Sequence, residues 1–272
     1  MARHPENSSK QQSLHFETLA AIAKQPIIPA LFILLALFQA AALTVVFLSH
    51  SEPFLSILGP IIRRFWGERF LHYPENFLLL PKLFGHAEMV VLTLAGLLAT
   101  GIVIQLLAGG RAGNSRVTAV SAFAVTLKKY FGMAFLWLVL FFVLRTASKT
   151  ILPHLPALLP AHFAGLVAVF LMTQTLTAFL FPSILLSGKN YWKSLGEGIL
   201  LSLKNFPQLL VVLFIPVVVS VAVSFLRSLS PSLSHDNPDF VLVILYVSIL
   251  VSTAVDLYIT SATAIFYLKV RN

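Results

Sequence analysis

Read for its apolar runs, the chain offers six stretches near the length needed to cross a bilayer. A helix covers the roughly 30 Å hydrocarbon core with about 20 mainly apolar residues. The runs lie at about 27–48, 89–107, 130–150, 164–186, 207–226 and 240–268. The third is short as a purely apolar run and is extended past Arg145, while the sixth is long enough to cross at a tilt. Backbone groups find no water in hydrocarbon, so a spanning segment is a helix or part of a closed barrel. The alternation over about ten residues that marks barrel strands is absent. The pattern predicts an all-α fold, a polytopic membrane helix bundle over 27–272. A cytoplasmic tail with a short amphipathic helix, 1–26, precedes it.

Composition sharpens this. The 272 residues are 58% hydrophobic and 11% charged, against about 45–50% and about 25% in soluble domains. A water-soluble fold is excluded. There is no cysteine, which removes disulfides and a thiol nucleophile. Lys24, the run Ile27–Phe38 and Ala40-Ala41-Ala42 resemble a secretory signal with its cleavage site. The polar stretch ahead of them is long for a signal and apolarity continues to Leu48, so the segment reads as a span.

Six spans put both ends of the chain on one side. That side holds twelve lysines and arginines, including Lys24, Arg111, Lys128, Lys129, Lys189, Lys193, Lys204, Lys269 and Arg271. The other side holds seven: Arg63, Arg64, Arg69, Lys82, Arg145, Lys149 and Arg227. Lys and Arg in short loops stay in the cytoplasm, so both termini are expected there, with a bacterial inner membrane as the location. The net charge of +9 is then explained by insertion and by contact with anionic lipid, and no nucleic-acid role is needed.

Amphipathic stretches precede two spans. In one, Trp192, Leu195, Ile199 and Leu203 share a face, with Lys193 and Glu197 four apart on another. In the other, Val117, Val120, Ala124 and Leu127 form the stripe. With the segment around Lys24 they give three repeats of one two-span unit, although basic loops ahead of spans would look the same in any polytopic protein. The outer loop 49–88 is itself apolar at Pro53–Trp66 and Phe77–Leu80, as expected for a segment resting at a headgroup boundary.

The six-span layout, the amphipathic segments, Phe181-Pro182-Ser183-Ile184-Leu185 and Gly188-Lys189-Asn190-Tyr191-Trp192-Lys193-Ser194-Leu195 resemble a broad group of uncharacterised bacterial six-helix inner-membrane proteins. That group is related to the membrane domain of glycerophosphodiester phosphodiesterases. The resemblance implies an inner-membrane location and no agreed activity. It implies no soluble phosphodiesterase domain here and carries over no catalytic residue.

The sharpest candidate for chemistry is Asp256, near the middle of the sixth run. A carboxylate there costs about 2.5–3.5 kcal/mol on the insertion scale. It continues a small polar row four apart, Ser248, Ser252, Asp256 and Thr260, which needs helix neighbours. Gln105, Gln174, Thr173, Thr177 and Arg145 are its expected partners. The row reads either as a proton or cation site or as polar glue between helices.

The histidines His50, His72, His86, His154, His162 and His235 fall on the outer side, His50 near Glu52 and His86 near Glu88. Their spacing matches no metal signature, and no metal or cofactor is expected. Pro182 and Pro216 interrupt the fourth and fifth runs and are expected to kink them. Gly109–Arg116 lacks the Gly-Lys-Ser/Thr ending of a P-loop, and there is no HExxH motif or nucleophile elbow. The chain is accordingly expected to be no enzyme. The expected role is an accessory, scaffold or assembly protein touching membrane lipids and other membrane proteins. The alternatives are a proton-coupled small-molecule transporter using Asp256 and a lipid-acting enzyme using the outer histidines.

Overall fold

The computed structural model describes residues 5–111, 117–151, 159–233 and 239–271. Among them every regular element is helical. In chain order they are α1 (Pro5–Lys24), α2 (Ile27–Phe47), α3 (Phe54–Phe65), α4 (Glu75–Val91), α5 (Leu97–Arg111) and α6 (Ala119–Ile151). Then follow α7 (Leu159–Thr177), α8 (Leu180–Leu186), α9 (Tyr191–Lys204), α10 (Phe206–Leu233) and α11 (Phe240–Arg271). Six helical stretches are long and apolar enough to cross a membrane: Ile27–His50, Glu75–Arg111, Ala119–Ala147, Pro160–Leu186, Phe206–Ser230 and Phe240–Arg271. This is the all-α polytopic bundle that the apolar runs predict.

The second span differs from its expected 89–107. Helix begins at Glu75, and α4 passes through a π turn at Leu92–Gly96 into α5. Glu75, Lys82, His86 and Glu88 dilute the hydropathy of its first half without breaking the backbone ladder. Phe77 and Leu80, expected at a headgroup boundary, are buried in the core. Pro53–Trp66 is built around α3, with Ile62 buried and Ile57, Ile61 and Phe65 exposed four residues apart.

The third span and its amphipathic lead-in form one helix, α6, where two were expected. No Gly or Pro occurs from Thr118 to Phe131. At the equivalent joints, Pro26 lies between α1 and α2, and Pro207 follows the Asn205 turn between α9 and α10. Proline lacks the N–H that would carry a preceding helix onward. The helix–break–span joint of the expected repeat therefore occurs twice, not three times, among the described residues. The two interior prolines also act differently. The fourth span breaks at Ala178–Phe179 ahead of Pro182, whereas α10 passes Pro216 as one continuous helix.

The chain divides into two compact units, and four of the spanning stretches contribute residues to both. The first comprises the described parts of Met1–Phe32, Leu97–Val221 and Val255–Asn272. Here α5 is buried along most of its length, and Gly101 lets it approach α6 closely. A Cβ at Gly101 would lie 2.2 Å from Thr126 Cγ2. In lipid there is little hydrophobic drive between helices, so small residues at contacts and close van der Waals packing hold them together. The same logic sets which faces of α6 and α9 pack inward. On α9 the buried residues are Ser194, Gly198 and Ser202, four apart, while Trp192, Ile199 and Leu203 are exposed. On α6 Ala122, Thr126 and Met133 face inward, and Val120, Leu127, Phe131 and Phe135 face out.

The second unit comprises Ile33–Gly96 and Ala222–Ala254, of which 234–238 lie outside the described residues. Its core is Ala36 and Leu43 of α2, Leu80 and Phe84 of α4, and Val241, Leu245 and Ile249 of α11. Thr44 and Tyr246 share a hydroxyl hydrogen bond of 2.7 Å beside it. A smaller cluster of Ile62, Phe70, Leu71 and Leu83 lies under Leu55, Leu58 and Trp66 and fixes α3 to α4.

Candidate functional site

The polar row expected around Asp256 lies on α11 as the spacing requires. Ser248 is buried and donates to Ile244 O at 2.6 Å. Ser252 is half-buried and accepts from Arg227 Nη2 at 3.4 Å. Asp256 is half-buried, and Thr260 is buried. Ser248 and Ser252 belong to the second unit, Asp256 and Thr260 to the first.

The residues expected as partners of Asp256 are engaged as follows. Gln105 donates through Nε2 to Leu185 O at 3.3 Å. Thr173 and Thr177 donate to Val169 O and Thr173 O of their own helix at 2.9 and 2.7 Å. Gln174 is half-buried on α7, and Arg145 is exposed on α6. Two positions after Asp256, Tyr258 stacks on His15 of α1, with ring centroids 6.0 Å apart, and the phenol and imidazole share a hydrogen bond. Glu17, one turn from the buried Leu14 and next to the buried Thr18, pairs with Lys269 and with Arg111, the latter at 3.6 Å. These contacts dock α1 onto α5 and α11, so the expected N-terminal tail is an integral part of the first unit.

The histidines do not meet the carboxylates next to them in sequence. His50 Nδ1 is 2.7 Å from Phe47 O and His86 Nδ1 is 2.8 Å from Lys82 O, each within its own helical turn. His72 lies 3.5 Å from Glu68, which also holds Arg63 at 2.9 Å. His162 is half-buried on α7. His154 and His235 lie outside the described residues. Among the described residues no three His, Asp or Glu side chains gather as metal ligands would. Glu197, expected to pair with Lys193, is held by Lys189 at 2.7 Å.

Two polar constructions were not legible in the sequence. The first is Glu88 of α4 with Arg227 of α10. Arg227 Nη1 reaches both carboxylate oxygens, at 2.9 and 2.7 Å, and the side chains are only 14% and 16% exposed. The guanidinium also lies over the Phe84 ring, 5.9 Å from its centroid. Removing one partner of such a buried pair costs about 3–5 kcal/mol. One Glu and one Arg near span ends on the same expected side were the available signal, but many such pairings are open in sequence.

The second surrounds α8 and the start of α9. A helix leaves its last carbonyls without intrahelical donors, and its dipole favours cations there. Lys129 Nζ donates to Ile184 O and, at 3.3 Å, to Leu185 O. Arg271 donates to Leu186 O and, at 3.4 Å, to Ser187 O. Gly188, at φ 70°, turns the chain out of the helix in a left-handed conformation suited to glycine. Ser183 donates to Ser194 O at 2.7 Å, and the Ser187 and Ser194 hydroxyls are 2.6 Å apart. At the break before α8, the Ser202 hydroxyl takes the Phe179 N–H at 3.3 Å. A Cβ at Gly198 would lie 3.0 Å from Phe179 O, so α9 crosses the break at backbone contact. Tyr191 donates to Gly132 O at 2.9 Å, and burial raises its phenol above the ordinary value.

Chemically these groups are spent on structure. Among the described residues the acceptors that the Ser183, Ser187 and Ser194 hydroxyls reach are hydroxyls and carbonyls. A serine nucleophile needs an adjacent base to take its proton. No family model, curated protein or solved structure matches the chain.

Proposed function

We propose that this chain is a non-enzymatic multi-pass protein of the bacterial inner membrane, with both termini in the cytoplasm, that serves as an accessory or scaffold for other membrane proteins. One observation carries the reading. Only 11% of the most apolar stretch of α6 is buried. Its outward face bears Leu127, Phe131, Phe135, Leu138 and Phe142, three or four residues apart, with Phe131 84% exposed. A span this bare has most of its packing surface left for neighbours in the bilayer. The engagement of Glu88, Gln105, Lys129 and Arg271 in structural bonds supports a role without catalysis. The excess of Lys and Arg on the side of both termini supports the orientation.

The test is a photoreactive residue placed singly at Phe131, Phe135 and Phe142 in the full chain, irradiated in membranes, with buried Met133 as control. The reading expects discrete protein adducts of one recurring mass from the three exposed positions. Lipid adducts alone at all three positions would overturn it.

A further inference from the structure

In the second unit a cleft of ≈ 370 Å³ opens between α4 and α10, lined by Leu78, Pro81, Lys82, Ser224, Arg227 and Ser228. Its size falls within the roughly 300–1,000 Å³ of small-molecule sites. Lys82 is near the beginning of the stretch Glu75–Arg111, and Arg227 near the end of Phe206–Ser230. Such span ends lie at headgroup depth, where a bilayer presents its phosphates.

The donors in the cleft are unevenly used. Lys82 is exposed, and among the described residues no carboxylate lies within 4.0 Å of its ammonium. Ser224 is exposed, and its side chain makes no hydrogen bond among the described residues. Arg227 gives Nη1 to Glu88, but its Nε is buried and has no acceptor among the described residues. Ser228, one turn beyond Ser224, already donates its proton to Phe225 O at 2.7 Å. Lys82 and Arg227 against Glu88 leave one net positive charge. Leu78 and Pro81 supply an apolar wall beside it.

The geometry points to a binding site for a phosphodiester monoanion, with an anionic glycerophospholipid as the source that fits the location. Lys82 and Ser224 donate to the phosphate oxygens, and Leu78 and Pro81 meet the adjoining glycerol carbons. One net positive charge suits a phosphodiester better than a phosphomonoester dianion. Lys82 repels a headgroup ammonium, so an uncharged glycerol headgroup is favoured over choline. The site stands independently of the scaffold role, because it requires no protein partner.

The test titrates the purified full chain, in neutral detergent, with short-chain phosphatidylglycerol, short-chain phosphatidylcholine and soluble glycerophosphoglycerol, read by native mass spectrometry. Phosphatidylglycerol is expected to bind about tenfold or more tighter than phosphatidylcholine. Lys82→Gln with Ser224→Ala is expected to weaken it by about tenfold, the size of a lost charged hydrogen bond. Lys128→Gln, an exposed cation on α6, is expected to leave it unchanged. Competition by glycerophosphoglycerol at equal affinity would make the soluble diester the ligand of the same site. No competition would make the lipid the ligand. Equal binding of the two lipids would overturn the site. So would a double variant within about twofold of the parent, or an equal loss in Lys128→Gln. Both altered side chains in the double variant are exposed, and Lys82→Gln alone serves should it fail to fold.

Discussion

Glu88 and Arg227, separated by 139 residues in the chain, meet with both carboxylate oxygens within 2.9 Å of a single guanidinium nitrogen. The pair joins α4 to α10 inside one compact unit and sits against the Phe84 ring. Glu88→Gln or Arg227→Gln alone should destabilise the protein by about 3–5 kcal/mol, because each strands a buried charge. The double variant should lie well above the sum of the singles, since neither charge remains. Thermal melting of the four proteins in one detergent measures the difference; additive losses would mean that the two side chains do not act as a pair.

The contact of Gly101 with Thr126 sets the spacing of α5 and α6. Gly101→Ala should cost about 1–3 kcal/mol through overpacking, because its Cβ would lie 2.2 Å from Thr126 Cγ2. Adding Thr126→Ala removes that methyl and the hydroxyl at 2.9 Å, so the double variant should regain part of the loss. A double variant no more stable than Gly101→Ala would place the strain elsewhere.

Alkaline pH should act through Tyr191. Burial raises its phenol above the ordinary value of 10.0, so the folded protein resists an ionisation that the unfolded chain accepts. Its contribution is complete below pH about 10 and falls as pH rises through the folded value. Tyr191→Phe should lower stability by about 1 kcal/mol at neutral pH, through the lost bond to Gly132 O, and flatten the decline above pH about 10. Melting temperatures of both proteins from neutral to strongly alkaline buffer check both effects; equal slopes above pH about 10 would remove Tyr191 from the alkaline decline.

Asp256 separates a scaffold from a proton-coupled transporter. In vesicles with an imposed pH gradient, protein carrying Asp256→Asn and the unaltered chain should show the same proton leak as protein-free vesicles. A leak present in the unaltered protein and abolished by Asp256→Asn would give the carboxylate a transport role, since an ionisable group inside a span is where a proton path would run.

The six spans were legible because lipid imposes length and apolarity together, and residues 27–48 and 240–268 emerged almost as the structure has them. The first half of the second span was not. Its polar residues read as loop, yet Glu88 is paired across the unit and His86 bonds to its own helix. The fusion of α6 follows from an absence of breakers that hydropathy does not weigh. Lys128 and Lys129 look alike in sequence, but Lys128 stays exposed while Lys129 caps α8. That role depends on a carbonyl 55 residues away, which no local pattern encodes. The stripes at Trp192–Leu203 and Val117–Leu127 were legible as periodic, but the small residues that pack against neighbours were not, because in a bilayer the large apolar residues face out and Gly, Ser and Ala face in.

The boundary between the two units crosses α2, α10 and α11 and falls just after the π turn before α5. No contiguous gene fragment therefore encodes either half. A truncation meant to isolate one would cut several rods mid-length and leave raw backbone ends in oil, where hydrogen bonding has no substitute. Such a protein is expected to evolve by editing side chains and connecting turns, not by shedding or borrowing a half.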